Sequence, residues 1–218
     1  MLSFAEENYL KAIYHLSDGG RNSVSTNSIS DSLKTKPASV SDMIRKLNNK
    51  GVITYEKYRG VNISETGKTQ ALEIIRKHRL WEVFLVEKLK FNWDEVHEIA
   101  EQLEHIRSPL LISRLDEFLA YPQYDPHGDP IPDKNGIIHT KPRVALSKLN
   151  SGESGKLISV NDTNDLFLKY LDKVKISIGC QILVKEKFEY DGSLEIMINN
   201  QFKLSISETV ADNLLISM

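Results

Sequence analysis

Apolar residues recur every three to four positions along most of the first 120 residues, and this spacing predicts amphipathic helices. The predicted helices cover residues 4–17, 26–33, 37–49, 64–89, 93–106 and 109–120. Thr26 or Asn27 can cap the second helix, and Pro37 suits the first turn of the third. Gly51 follows the third helix and is a residue type that ends helices.

Two short runs rich in β-branched residues follow the third predicted helix. They cover residues 52–55 and 61–63, and between them lies the basic tip 56–60. Three helices followed by a β-hairpin is the order of a winged helix-turn-helix. We therefore expect residues 1–64 to form a winged helix-turn-helix DNA-binding domain.

The sequence pattern changes from helical to β-rich at about residue 144. Short β-rich runs cover residues 155–160, 180–184, 193–198 and 201–206, with one helical segment at 165–171. Asp191-Gly192 and Asn199-Asn200 are typical of hairpin turns. Residues 144–218 are thus expected to form a small β-barrel.

The middle segment, residues 65–143, is predicted to be a helical domain that ends in a proline-rich stretch. Residues 121–143 hold five of the seven prolines, and this composition indicates either a linker or an ordered irregular loop. The fold class is therefore mainly α with β, in three domains of residues 1–64, 65–143 and 144–218.

Composition narrows the class of protein. No apolar run approaches the roughly 20 residues that cross a bilayer, and the first residues lack the features of a signal peptide. The single cysteine, Cys180, excludes an internal disulfide. We expect a cytoplasmic protein that has no membrane partner.

The net charge of −2 disfavours nucleic acid, but the local charge of residues 34–59 favours it. Seven basic residues stand there against Asp42 and Glu56. Small and hydroxyl side chains at the start of the third helix could approach bases, and lysines could contact phosphates. The candidate DNA-binding residues are Lys36, Pro37, Ala38, Ser39, Ser41, Asp42, Lys46, Lys50, Lys57 and Arg59. A winged helix that binds only protein is the alternative.

Residues 78–105 carry half of the six histidines, with carboxylates at helical spacing from them. On a helical wheel of residues 96–106, one arc beside the apolar stripe holds His97, Glu101, Glu104 and His105. His78 and Glu82, four residues apart, offer a second pair. Imidazole with carboxylate suits Mn²⁺, Fe²⁺, Co²⁺ or Zn²⁺. The alternative is a solvated, charged helix face.

Five motifs together resemble the DtxR/MntR family of metal-dependent transcriptional repressors, over nearly the whole chain. They are ENYLKAIY (7–14), PASVS (37–41), RKHRLWE (76–82), EQLEH (101–105) and DPHGDPIP (125–132). The resemblance implies a winged helix, a helical dimerisation and metal-binding domain, and an SH3-like (FeoA-type) barrel. It also implies a homodimer that binds a palindromic double-stranded DNA operator when loaded with metal.

The resemblance implies ligands by position. One site would use Asn8, Glu101, Glu104 and His105, and a second would use His78, Glu82 and His97. Asp125 and His127 match a ligand-bearing loop, and Asp162 or Asp165 could reach in from the barrel. The manganese branch of the family typically has Asp and Glu where this chain has Asn8 and Glu101, whereas the iron branch has Met and Cys. Glu101 matches the manganese pattern, and Asn8 matches neither.

The function that follows is a metal-gated repressor, with Mn²⁺ as the first expected cofactor, Fe²⁺ as the next, and Zn²⁺ or Co²⁺ able to bind in vitro. A metalloenzyme with a docking domain is a rival, but no motif supplies a recognisable general base, so no enzyme and no small organic substrate are expected. The other rival is a winged-helix repressor that responds to a non-metal ligand and holds only structural metal.

Overall fold

The computed structural model describes residues 1–56 and 59–217. Its α-helices are α1 (Phe4–Leu16), α2 (Thr26–Ser32), α3 (Pro37–Asn49), α4 (Glu65–Glu87), α5 (His97–Leu103), α6 (Pro109–Phe118), α7 (Asp165–Lys173) and α8 (Glu208–Asp212). Its strands are β1 (Ile53–Glu56), β2 (Gly60–Ile63), β3 (Val144–Ala145), β4 (Ser154–Val160), β5 (Gln181–Lys187), β6 (Leu194–Ile198), β7 (Phe202–Ile206) and β8 (Leu214–Ser217). A short 3₁₀ turn spans Leu146–Lys148.

By their contacts the described residues form two compact units. The first unit holds described residues of the ranges 1–78, 101–112 and 132–137, and the second holds 79–100, 113–131 and the described chain from 138 onward. The mainly α with β fold class is confirmed. The domain boundaries expected after residues 64 and 143 stay predictions.

The first unit contains the predicted order of three helices and a hairpin. Ser3 and Glu6 form a reciprocal capping box that starts α1. Strands β1 and β2 pair antiparallel, and Val24 adds a bridge to Val61. The buried side chains between these elements are Leu10, Ile13, Ile29, Ile44 and Leu47. The cap expected at Thr26 or Asn27 is wrong: the N-cap is Ser25, whose hydroxyl accepts the Ser28 N–H.

The helix predicted over residues 93–106 is shorter in the structure, since α5 covers only His97–Leu103. Glu104 and His105 lie in the turn that follows, so the single helical arc expected for the four ligand-type residues is wrong. Glu104 has no exposed surface, and its carboxylate is held by residues that are distant in sequence. Pro109 also disfavours helix at the residue before it.

The proline-rich stretch is ordered, which settles the alternative left open by composition. Within the second unit, Tyr124 bridges to Pro130, and Arg79 Nη1 donates to the Pro130 carbonyl at 2.5 Å. Gly128 has a φ of +85°, and a Cβ there would lie 1.9 Å from the Ile158 carbonyl oxygen. Only glycine fits this close approach of the loop to β4.

The second unit also holds a six-stranded antiparallel sheet in the order β3-β8-β4-β5-β6-β7. Register shifts in β4 and β5 mark bulges, which increase local twist. The apolar core beneath the sheet includes Leu157, Leu168, Ile182, Ile196 and Ile216. Strand β8 was not predicted, because three of its four residues are buried in succession and show no polar alternation.

Among the described residues, no helix combines the length and the apolar character that crossing a bilayer requires.

Candidate metal centre and nucleic-acid interface

In the first unit, a cluster of ionisable side chains surrounds Glu104, which is completely buried. Lys11 Nζ donates to both carboxylate oxygens of Glu104, at 2.8 and 2.7 Å. His78 Nδ1 lies 2.6 Å from Glu104 Oε2. Burial raises the pKa of Glu104, but the His78 hydrogen bond and the Lys11 charge outweigh it, so the net pKa is below the usual 4.5. The carboxylate is therefore ionised, and His78 is the donor in this bond.

Glu101 completes this side of the cluster. Its carboxylate also accepts a hydrogen bond from Lys11 and lies 4.0 Å from His78 Nδ1. The resemblance placed His78 in a separate set with Glu82 and His97. In the structure the His78 imidazole lies beside the Glu101 and Glu104 carboxylates, and its assignment to the set with Glu82 and His97 stays a prediction.

His105 is held from two sides. Its Nδ1 lies 2.6 Å from Glu7 Oε2, and its ring stacks on Phe4 with centroids 4.6 Å apart. With Nδ1 donating to the carboxylate, the lone pair of the neutral ring is on Nε2. Nε2 is thus the atom of His105 that can bind a metal.

Asn8 supplies the observation that tests whether a metal fits here. Within residues 1–56 and 59–217, its Oδ1 is buried and has no hydrogen-bond partner. A buried acceptor without a partner is costly, and a cation would satisfy it. The set that the resemblance implies, this oxygen with the Glu101 and Glu104 carboxylates and the His105 imidazole, has the donor atoms that suit a divalent transition metal. We call Asn8, His78, Glu101, Glu104 and His105 the first group.

In the second unit, a second group is formed by Glu82, Asp125 and His127, all of them buried. One ligand atom from each lies within 4.8 Å of the others. His127 Nδ1 lies 3.8 Å from Glu82 Oε2 and 3.9 Å from Asp125 Oδ1. His97, which is half exposed, lies beside them, with Nδ1 3.6 Å from Glu82 Oε1. Carboxylates and imidazole again form the donor set.

The hydrogen bonds of His127 fix which ring nitrogen faces this group. Nε2 lies 2.9 Å from the Trp93 carbonyl, which can only accept, so Nε2 carries a proton. Nδ1 is left to face the carboxylates. Burial lowers the pKa of His127, but the nearby Glu82 carboxylate and the charge of Asp125 raise it to about 9.

Asp125 is tied down by the loop around it. Its Oδ1 accepts the backbone N–H groups of His127 and Asp129, at 2.8 and 3.0 Å. Arg79 Nε lies 3.4 Å from the other oxygen. Burial and the neighbouring Glu82 and Asp129 charges raise the pKa of Asp125 to about 7, against the opposite effect of Arg79 and His127.

The barrel residues offered as ligands lie outside this group. Asp162 follows β4 by two residues, and its Oδ1 accepts the Asn164 N–H at 2.8 Å. Asp165 is exposed and faces Lys169 at 3.8 Å. The ligand role of both stays a prediction, as it does for every residue of the two groups.

Two contributors escaped the sequence reasoning: Lys11, which binds Glu101 and Glu104, and Glu7, which orients His105. Both lie on α1 beside Asn8, and Lys11 follows Asn8 by one helical turn. That spacing was the available signal. Their partners are 90 to 98 residues away, so local periodicity could not reveal the contacts.

The candidate DNA-binding residues of α3 share one exposed surface. The exposed residues are Lys36, Pro37, Ala38, Ser39, Ser41, Asp42 and Lys46. Val40, Ile44 and Leu47 are buried. Helix α3 starts without a side-chain cap, which leaves N–H groups of its first turn for a phosphate or for water. Ser41 Oγ bonds back to the Pro37 carbonyl.

Three basic candidates have different settings. Lys50 Nζ donates to Glu6 at 2.7 Å and to the Met1 carbonyl, so it has protein partners. Arg59 is exposed and pairs with Glu56 at 3.1 Å. Lys57 lies outside the described residues. Lys46 is exposed on α3 and is the clearest phosphate-contact candidate of the helix.

A winged helix beside a carboxylate–imidazole cluster defines a class of metal-responsive DNA-binding proteins, and comparisons with known proteins agree. Three family models match the chain: "Iron dependent repressor, N-terminal DNA binding domain" over residues 1–61, "Iron dependent repressor, metal binding and dimerisation domain" over 64–133, and "FeoA domain" over 144–218. The match covers the winged helix, the helical segment and the barrel in the expected order.

Individual relatives agree with these models. A solved "Manganese-dependent transcriptional repressor complex with manganese" has 31% identity and a TM-score of 0.87, covering 97% of this chain and 98% of that one. The "Iron-dependent repressor IdeR" of Mycobacterium tuberculosis is 32% identical over 126 residues, which are 58% of this chain and 54% of that protein. A "Probable metal transport system membrane protein" of Chlamydia trachomatis is 39% identical over 88 residues, which are 40% of this chain and 19% of that protein.

The chain therefore belongs to the DtxR/MntR family of iron- and manganese-dependent repressors. The family consists of DNA-binding transcriptional regulators rather than enzymes. The alignments span about half of IdeR and a fifth of the chlamydial protein, so they compare parts of those relatives.

Proposed function

We propose that this protein is a cytoplasmic transcriptional repressor that binds a palindromic operator as a homodimer when it is loaded with Mn²⁺, or with Fe²⁺ as the second choice. The regulated genes would serve metal-ion homeostasis. The family models for DNA binding and for metal binding with dimerisation support this proposal. So does the solved manganese complex of a relative that overlaps 97% of this chain.

One observation carries the proposal: Lys11 and Glu7 of helix α1 bind Glu104 and His105 in the turn after α5. Asn8 lies on α1 with an unsatisfied buried oxygen, while Glu104 and His105 lie in the turn. Helix α1 also packs on α2 and α3, which carry the candidate DNA-binding face. A change at the first group therefore reaches the DNA-reading helix through one packed helix.

The residues have distinct roles in this mechanism. Asn8 Oδ1, the Glu101 and Glu104 carboxylates, and Nε2 of His105 would hold the ion, and His78 would shift from its bond with Glu104 to join them. The bound ion would supply the positive charge that draws these groups together across the cluster. Glu7 holds the His105 ring in place, and a fixed α1 then fixes α3.

Coupling of this kind needs only modest energy. A difference of about 1–3 kcal/mol per site between the two conformations changes operator affinity by about 5- to 150-fold. In a homodimer the two α3 helices must match half-sites about one helical turn apart, so the metal-free protein would bind the operator weakly.

The donor set favours Mn²⁺ and Fe²⁺ among the family's metals. All ligand atoms of both groups are oxygen or imidazole nitrogen, and the one cysteine, Cys180, is buried among the barrel's apolar residues. Thiolate-preferring metals therefore find no thiolate in the two groups.

The test is operator binding by fluorescence anisotropy, with DNA from upstream of the protein's own gene at fixed salt. The protein is stripped with chelator and then titrated anaerobically with Mn²⁺, Fe²⁺ and Zn²⁺. Binding that appears at micromolar Mn²⁺ or Fe²⁺ supports the proposal. Tight binding that ignores chelator and metal contradicts it and favours a repressor that responds to a non-metal ligand.

Glu104→Gln provides the site-specific arm of this test. It keeps the shape of the side chain but removes its charge, and it should abolish the metal response while the protein stays folded. Glu117→Gln is the matched control, because Glu117 is an exposed carboxylate that pairs with Arg114 of the same helix at 2.8 Å. An unchanged metal response in Glu104→Gln would refute the first group as the sensor.

A further inference from the structure

A cation is already present inside the first group: the side-chain ammonium of Lys11. Its three hydrogen-bonded oxygens are Oε1 of Glu101 and both carboxylate oxygens of Glu104. The Lys11 side chain is only 13% exposed, and Glu104 is not exposed at all. An ammonium has three N–H donors, so this arrangement uses all of them.

These carboxylate oxygens are the ones that a metal at the first group would need. A carboxylate oxygen whose lone pairs face an ammonium at 2.7 Å cannot also face a cation at bonding distance on the same side. A second positive charge beside the ammonium would also repel it. Loading the first group with metal therefore requires that Lys11 leave.

The lysine side chain is built for such an exit. Four rotatable methylenes let the ammonium swing towards water while the stem stays on the protein. Asn8 is one turn away on α1 and is neutral, so the two carboxylates and Lys11 carry a formal charge of −1. Exchanging the ammonium for a divalent ion brings this sum to zero.

We propose that Lys11 is an internal competitor for the metal: it holds Glu101 and Glu104 together in the metal-free protein, and it sets the metal concentration at which the repressor loads. The inference rests on the proposed function and adds a residue that determines its threshold. On metal binding, the metal ion takes the place of the Lys11 ammonium beside Glu101 and Glu104. The two carboxylates are therefore never buried without a compensating positive charge.

The variant Lys11→Met tests this inference, because methionine keeps the apolar stem and removes the charge. We expect Mn²⁺ to bind at least about tenfold more tightly than to the parent, since the competing cation is gone. The metal-free melting temperature should fall, because Glu104 loses its charged partner. The stabilisation on adding Mn²⁺ should grow.

Mn²⁺ affinity is measured by electron paramagnetic resonance of the free ion, in full-length protein that carries Glu82→Gln so that the second group does not contribute. Lys50→Gln is the matched control. Lys50 also pairs with a buried glutamate, Glu6, at 2.7 Å, but outside the ligand set. It should lower the melting temperature and leave the Mn²⁺ affinity unchanged.

A second variant guards against a misfolded Lys11→Met. Lys11→Arg keeps the charge and binds carboxylates with a rigid fork, so it should compete more strongly and weaken Mn²⁺ binding. Weaker or unchanged Mn²⁺ binding in Lys11→Met, or tighter binding in Lys11→Arg, would overturn the inference. A supporting role for Lys11 in the loaded site predicts those opposite signs.

The outcomes also separate this inference from the proposed function. In the Glu82→Gln background, if the protein with Glu104 binds Mn²⁺ and Glu104→Gln does not, the site stands, and the Lys11 variants alone decide the inference. If Glu104→Gln binds Mn²⁺ as the parent does, the proposed site fails first.

Discussion

Glu7 and His105 are linked by a 2.6 Å hydrogen bond between Oε2 and Nδ1, although they are 98 residues apart. The bond gives His105 one tautomer and one ring orientation, with Nε2 as its free ligand atom. Phe4 stacks on the other side of the ring and limits its rotation. A carboxylate that accepts a hydrogen bond from a metal-binding imidazole commonly fixes the orientation of the ring and raises its basicity as a ligand.

Glu7→Gln should therefore weaken Mn²⁺ binding at the first group by about 10- to 100-fold, the usual effect of losing an outer partner of a metal-bound histidine. Isothermal titration with Mn²⁺ measures it. Glu6→Gln is the control, because Glu6 is equally buried on the same helix but pairs with Lys50. Equal losses in both variants would mean that the effect comes from α1 stability.

Asn8→Asp should strengthen Mn²⁺ binding about tenfold, which corresponds to about 1.4 kcal/mol. The substitution turns a neutral oxygen with no described partner into a charged one at the same place. Asn22→Asp adds the same charge at an exposed position of the first unit and should have no effect on affinity. Unchanged binding in Asn8→Asp would show that this oxygen does not touch the ion.

Metal binding at the second group should release protons and strengthen as pH rises from about 7 to 9. The pKa values of Asp125 and His127 are raised to about 7 and about 9, and a metal needs both groups deprotonated. Titration calorimetry in buffers of different ionisation enthalpy counts these protons. In His127→Gln the part of the release that comes from His127 should disappear.

The same raised pKa values give the sign for the metal-free protein. The stabilising contribution of His127 is fully present below pH 6.5 and is lost as pH rises through about 9. The stabilising contribution of Asp125 is present below pH 3.8 and is lost as pH rises through about 7. The loss of both contributions should lower the melting temperature of the metal-free protein as pH increases. If the melting temperature of His127→Gln falls between pH 6.5 and 9 with the same slope as that of the parent, this assignment is wrong.

Lys46→Ala should weaken operator and non-operator DNA alike, because a lysine–phosphate contact carries no sequence information. The slope of log affinity against log salt should decrease by about one per protomer. Lys173→Ala, an exposed lysine on α7, is the control. A loss confined to the operator would indicate that Lys46 reads bases.

Sequence reasoning recovered the elements whose pattern is local. Helix α3 has the predicted bounds, and α4 ends two residues before the prediction, since each has a regular apolar stripe and a clear boundary signal. The short runs of the barrel were found through their β-rich composition and hairpin-turn residues. The cluster of ligand-type residues was found because histidines and carboxylates are uncommon at that density.

What the sequence could not provide depends on contacts made across the fold. The regular helix expected through His105 breaks at Leu103, because burial of the Glu104 carboxylate between Lys11 and His78 outweighs local helix propensity. The grouping of His78 with Glu104 likewise depends on packing. Strand β8 was missed because a fully buried strand lacks the two-residue period.

Trp93 stacks on the His127 ring with centroids 5.9 Å apart and an interplanar angle of 15°, its carbonyl accepts the His127 Nε2 proton, and its indole N–H donates to Asp172. An indole in this position allows metal binding at the second group to be followed by tryptophan fluorescence. Mn²⁺ is paramagnetic, so an ion held by His127 should quench the emission of Trp93, and Trp93→Phe should remove that signal and leave only Trp81. The order in which the two groups fill could then be followed on the unlabelled protein, in the same cuvette as the operator.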